Sequence, residues 1–136
     1  MKSKYFKPYE LVSKEDYENM TEDKIFEIFD DSIIKAIDTL KEYFPKGSIY
    51  INNWYWGMER NWSGLRTPKS PNYSLTSMHS YGKAVDMIFT SYSSEEVRKF
   101  IIDNPELFPG IKGIELGISW VHIDSRSRKS IIKFKP

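Results

Sequence analysis

The chain contains no cysteine and only two histidines. The first absence excludes a disulfide framework, a thiolate zinc site and a thiol nucleophile. The second means that any metal centre holds at most two imidazoles and must complete its ligand set with carboxylates. An excess of one charge is also missing: 20 Lys and Arg stand against 19 Asp and Glu, a net charge of +1. That balance argues against a large electrostatic footprint for nucleic acid, so no nucleic-acid partner is expected. The basic run "SRSRKSIIKFK" reads as a solvated edge strand guarded by its lysines. No stretch approaches the roughly 18 apolar residues of a membrane span. Residues 1–14 carry positive charge with no apolar run behind it. Neither a membrane span nor a signal peptide is therefore expected, and synthesis in the cytoplasm is.

What is present is ordinary for one folded unit. The 136 residues are 40% hydrophobic and 29% charged, which predicts a single domain over 1–136 with one core. No heptad or other assembly signature is visible, so a monomer is expected. Aromatics reach 15%, and many of them fall between Tyr50 and Tyr81 among Asn, Arg, Ser and Gly. Such a mixture suits a lined cleft better than a sealed interior.

Periodicity outlines the elements. Ser13 and Asp16 give a capping-box start to a short helix. Ile25, Phe29, Ile33, Ile37 and Leu40 recur at intervals of three and four, predicting a helix over 22–44 with a break near residues 30–32. "SIYINNWYW" (48–56) reads as a strand, and residues 57–82 as a long loop of a length that is commonly functional. "KAVDMIF" alternates as a strand should. "SSEEVRKFIIDNPELF" opens with a second capping box, Ser93 to Glu96, and reads as a helix stopped near Pro105. "IKGIEL", "SWVHID" and "SIIKFK" read as short strands. The sum is an α+β domain, helices packed against a small antiparallel sheet.

Both histidines sit in polar company. On the strand "KAVDMI", Ala84, Asp86 and Ile88 share a face, and small Ala84 leaves room beside the carboxylate. On "SWVHIDSR", Trp120, His122, Asp124 and Arg126 share a face, with Val121 and Ile123 turned the other way. His79, Asp86 and His122 would complete a His2Asp set for zinc, with a fourth position open to water. Asp124 would orient His122 or that water. A short motif of this kind has a competing explanation, in which both histidines are hydrogen-bonded structural residues.

"SMHSYGKAVD" (77–86) matches the pattern S-x-H-x2-G-x-A-x-D, "WVHID" looks like a closing W-x-H motif, and "SGLR" (63–66) resembles an upstream S-G-x-R segment. In this order the three motifs resemble the zinc D-Ala-D-Ala metallopeptidases, which include D,D-carboxypeptidases, D,D-dipeptidases and L-alanyl-D-glutamate phage endolysins and share a fold with the hedgehog signalling domain. The resemblance spans residues 6–126. It implies a hedgehog-like zinc fold with N-terminal and crossing helices, Zn2+ held by His79, Asp86 and His122, Ser77 beside the site, and Arg66 on a substrate carboxylate or carbonyl oxygen. The implied substrate is a peptidoglycan stem peptide, received by a groove lined with Trp54, Trp56, Tyr73, Tyr81 and Trp120.

One position departs from the pattern. Many members carry the catalytic carboxylate three residues before the last histidine, where this chain has Ser119. Glu115, upstream across Gly117, is the expected general base, and Asp124 the alternative. The implied activity is a zinc peptidase of carboxypeptidase or endopeptidase type, acting at the cell wall once released from the cell, as a phage lytic enzyme does. Two alternatives stay open: a non-catalytic zinc-containing binding module of the same fold, kept alive by Ser119, and a metal-free structural protein.

Overall fold

Side-chain caps start three of the four α-helices. In the computed structural model, which describes residues 1–136, the Ser13 hydroxyl accepts the Asp16 N–H at 3.1 Å and donates to the Asp16 carboxylate at 3.0 Å. This opens α1, Lys14–Asn19. Thr21 accepts the Lys24 N–H at 3.2 Å and opens α2, Glu22–Ile28. The apolar repeat continues past Ile28, but the helix does not. Phe29 is extended, and α3 runs over Asp31–Tyr43. The cause is tertiary: the Asp30 N–H donates to the Gly82 carbonyl at 3.0 Å, outside the helical ladder. Between Ser93 and Glu96 both capping-box bonds form, at 3.0 and 3.1 Å, and start α4, Ser94–Asp103.

Five strands form one sheet: β1 (Ile49–Tyr50), β2 (Ala84–Phe89), β3 (Gly113–Glu115), β4 (Val121–Asp124) and β5 (Ile132–Phe134), in the order β1-β2-β4-β3-β5. The expected antiparallel sheet is instead mixed, because β5 pairs parallel with β3 at the edge. Residues 125–131 carry the chain from the end of β4 past β3, so β5 enters running the same way as β3. The expected strand over 48–56 also shortens. The Asn52 N–H donates to the Glu10 carbonyl at 2.9 Å and the Trp54 indole donates to the Val12 carbonyl at 2.8 Å, which pull the chain off the sheet edge into a 3₁₀ turn at Trp54–Trp56.

Alternation then divides the sheet. Val85, Met87, Val121 and Ile123 join Ile33, Ile37 and Leu40 in one cluster of 25 buried apolar residues, so the chain has a single core. A fully buried Ile side chain contributes about 1.5–3 kcal/mol to folding. Ala84, Asp86, His122 and Asp124 occupy the opposite face, and the register sets Asp86 across from His122 and Ala84 across from Asp124. No helix is long and apolar enough to cross a membrane.

Candidate metal centre

Directly opposed residues on antiparallel strands hold their Cβ atoms about 5 Å apart. The β2–β4 register therefore brings the Asp86 carboxylate to the His122 ring, with Nδ1 at 2.7 Å from Oδ1. His79 arrives from a 3₁₀ turn, Met78–Tyr81, whose N-terminal cap is Ser77: its hydroxyl accepts the His79 N–H at 3.2 Å. The turn closes at Gly82, with φ +68°, and a Cβ there would collide with the Ile28 carbonyl, so glycine is required on both counts. His79 Nε2 then lies 3.3 Å from Asp86 Oδ1. The ligand atoms of His79, Asp86 and His122 all fall within 4.8 Å of one another, and all three residues are buried.

The remaining ring nitrogens fix the tautomers. A carbonyl only accepts, so His79 Nδ1 carries the proton that it donates to the Gly64 carbonyl at 2.9 Å, and Nε2 is left with its lone pair. His122 Nε2 lies 2.8 Å from Asp124 Oδ2, an ionised acceptor. Donation there leaves Nδ1 for the point shared with Asp86 and His79. Once His122 gives up its Nδ1 proton, two imidazole nitrogens and one carboxylate oxygen converge on one point, and this group could hold a metal ion.

Asp124 is fully buried and wholly committed. Arg126 donates to its Oδ1 from Nε at 2.7 Å and to its Oδ2 from Nη2 at 2.6 Å, in the bidentate fork geometry. Arg126 also lies over the Phe134 ring at 4.5 Å, and Phe134 meets His122 edge-on. A Cβ on Gly113 would fall on the Asp124 carboxylate, so only glycine leaves it this place on the neighbouring strand.

The charges couple strongly in the metal-free state. Burial pushes the Asp86 carboxyl up, but hydrogen bonds from His122 and His79 outweigh it and hold it well below the usual carboxylate range. Burial pulls His122 down, yet its bonds to Asp124 and Asp86 prevail and raise it to about 9. Burial likewise opposes ionisation of Asp124, and Arg126 and His122 overcome it, lowering the group to about 2.

An open cavity of about 800 Å³ exposes this cluster. Of the residues expected at the site, Arg66, Ser77, Tyr81, Glu115 and Trp120 all line it. Arg66 is three-quarters buried, anchored by Nε donation to the Trp62 carbonyl at 2.9 Å, with Nη2 3.5 Å from Asp86 Oδ2. The Trp120 indole N–H is buried with no hydrogen-bond partner. Ser119 is exposed, and its carbonyl accepts the Ser94 hydroxyl at 2.7 Å. The expected aromatic lining is corrected: Tyr81 and Trp120 line the cavity, whereas Trp54, Trp56 and Tyr73 do not. Trp54 and Trp56 belong to a separate aromatic cluster around Tyr9, because the Trp54 indole is tied to Val12.

Seven cavity residues went unrecognised in the sequence as site residues: Thr76, Met78, Lys83, Arg126, Ser127, Arg128 and Phe134. Strand alternation carried a signal for Arg126, which falls two positions after Asp124 on the same face. Phe134 carried none, because its place depends on the parallel β3–β5 pairing. No family model, curated protein or solved structure matches this chain.

Proposed function

We propose that this protein is a zinc-dependent peptidase that hydrolyses peptide bonds in peptidoglycan stem peptides. One observation carries the reading: the β2–β4 register and the turn before Gly82 converge His79, Asp86 and His122 on the floor of a cavity that also holds Glu115 and Arg66. The order of the motifs "SGLR", "SMHSYGKAVD" and "WVHID", with their resemblance to the D-Ala-D-Ala metallopeptidases, supports the same assignment. Two neutral imidazoles and one carboxylate suit zinc better than calcium or magnesium, which prefer all-oxygen shells.

His79, Asp86 and His122 would hold the zinc, which would supply an activated water and a Lewis acid for the scissile carbonyl. Glu115 is the carboxylate in the cavity whose oxygens make no hydrogen bond within the protein, so it is free to take the water proton and return it to the leaving amine. Asp124 is not free for that work, since His122 and Arg126 occupy both its oxygens. It holds the His122 tautomer instead. Arg66, fixed through Nε, presents the rest of its guanidinium to a substrate carboxylate or carbonyl oxygen. Arg66 and Arg128 are the cavity cations left for a substrate carboxylate, as stem peptides carry, since Arg126 is committed to Asp124 and Lys83 lies 3.7 Å from Asp30.

The test is incubation of the zinc-loaded protein with defined muropeptides and mass spectrometry of the products. Cleavage, read as the gain of one water and two fragments, is expected, and the fragments name the bond. A second reading, a zinc-containing binding module, draws on exposed Ser119, where no carboxylate faces the metal cluster. Zinc at one equivalent with stem-peptide binding but no cleavage would establish that reading in place of the first.

A further inference from the structure

A second cavity, of about 440 Å³, lies between residues 5–10 and residues 48–56 and shares no lining residue with the first. Its walls are aromatic: Tyr5, Tyr9, Tyr50 and Trp56. Tyr5 and Trp56 are nearly half exposed, at 46% and 47%. The rings are not loose. Trp56 stands edge-on to Tyr9 at 5.8 Å and to Tyr50 at 5.7 Å, and Tyr9 stacks on Tyr55 at 3.8 Å. These contacts fix the indole plane while leaving much of it open to the groove.

Glu10 also lines the groove, and only 7% of it is exposed. One carboxylate oxygen, Oε2, accepts the Lys7 N–H at 2.8 Å, and the other makes no hydrogen bond within the protein. That second oxygen is not sealed inside the protein, so it stands as an acceptor open to a donor in the groove. Burial raises the Glu10 carboxyl above its ordinary value, only partly offset by the Lys7 N–H and the Lys7 charge.

We propose that this groove is a saccharide-binding site. Pyranose rings present apolar C–H faces that lie flat on Trp and Tyr rings, and hydroxyls that donate to a fixed carboxylate; the groove offers both partners at once. Other ligands of aromatic grooves fit less well. A nucleic-acid strand stacks on such rings and would find Lys7 and Lys41 beside them, but its phosphodiesters only accept hydrogen bonds and offer nothing to the Glu10 carboxylate. A proline-rich peptide packs on such rings too, but its prolines have no N–H to donate to the Glu10 carboxylate. Under the proposed function the sugar is the glycan to which the stem peptide is attached, which would hold the protein on the same polymer that the first cavity addresses. The groove argument itself uses none of the metal-site residues.

Isothermal titration calorimetry with a peptide-free tetrasaccharide tests the inference, in two versions: N-acetylglucosamine alone, and N-acetylglucosamine alternating with N-acetylmuramic acid. The wild-type protein should give saturable binding to at least one of them. Trp56→Ala should weaken it tenfold or more, and Glu10→Gln, which keeps an oxygen for the Lys7 N–H, should weaken it severalfold. Thermal melts of both variants establish that they are folded; Trp56, being half exposed, can be removed without opening the core. Binding to neither sugar, or binding that survives in Trp56→Ala, overturns the proposal, as does tight binding of oligodeoxythymidylate or a proline-rich peptide in place of the sugar. The titration reads no turnover, so a failed peptidase assay leaves its outcome standing, and the reverse.

Discussion

Replacing Asp124 by Asn isolates what the buried carboxylate does for the metal cluster. Asp124 is fully buried and accepts four hydrogen bonds, from His122 Nε2, from two guanidinium nitrogens of Arg126 and, at 3.3 Å, from the Arg126 backbone N–H. An amide keeps one acceptor oxygen, loses the charge, and points an NH2 group at a partner that is itself a donor. Hydrogen bonds to charged groups contribute about 1.5–3 kcal/mol and neutral ones about 0.5–1.5 kcal/mol. The fold should lose about 3 kcal/mol, moderated because Arg126 is one-quarter exposed and water can replace part of its pairing. The metal should lose more selectively. Without an anionic acceptor on Nε2, His122 no longer favours the tautomer that leaves Nδ1 free, and such partners are typically worth 10- to 100-fold in affinity, or about 1.4–2.8 kcal/mol. Competition for zinc against a chromophoric chelator measures this directly, and a thermal melt in excess chelator separates it from loss of fold. A folded Asp124→Asn protein that binds zinc as tightly as wild type would refute the orienting role.

Three further outcomes follow from the same geometry. Glu115→Gln should retain one equivalent of zinc and lower kcat by about 10²–10⁴-fold, the usual contribution of a general base; near-normal turnover on a muropeptide would sink that assignment. In the metal-free protein His122 sits at about 9, against an ordinary value of about 6.5, so it adds stability that is fully present below about pH 6.5 and is lost as pH rises through about 9. Melts in chelator should therefore show stability falling from about pH 7 to pH 9, while the zinc-loaded protein, with no proton on His122 Nδ1, should lack that slope; identical slopes would contradict the shared site. Gly82→Ala should destabilise the fold by more than about 1 kcal/mol, since it combines positive φ with a collision at Ile28, and chemical denaturation with an unchanged midpoint would show that the turn tolerates a side chain.

Helix starts were readable because capping is local: Ser13, Ser93 and their partners three residues on bond as the spacing predicts. Strand faces were readable for the same reason, since alternation on "KAVDMI" and "SWVHID" is a property of each segment alone. The break expected near residues 30–32 is present at Phe29–Asp30, but its position, the shortened β1 and the parallel β5 were not fixed locally. Each depends on a bond to a distant segment: Asp30 to Gly82, Asn52 to Glu10, and β5 to β3. The aromatic residues show the same division. Their number was plain, but a single indole bond, Trp54 to Val12, helped separate one cluster from the cavity over His79, Asp86 and His122 and left a second groove beside Glu10.

The sequence by itself determined the candidate ligands, because with no cysteine and two histidines a nitrogen-rich metal site has little choice beyond His79, His122 and a carboxylate. It determined too that Asp86 and His122 stand on polar faces of two strands. Only the tertiary structure decided that those faces coincide. Strand register is set by pairing across 36 positions of chain, and a slip of one residue would turn His122 into the core. Only the tertiary structure committed Asp124 to Arg126 and His122, and so left Glu115 as the carboxylate free to act, because burial and hydrogen bonding belong to the packed molecule and not to any segment of it.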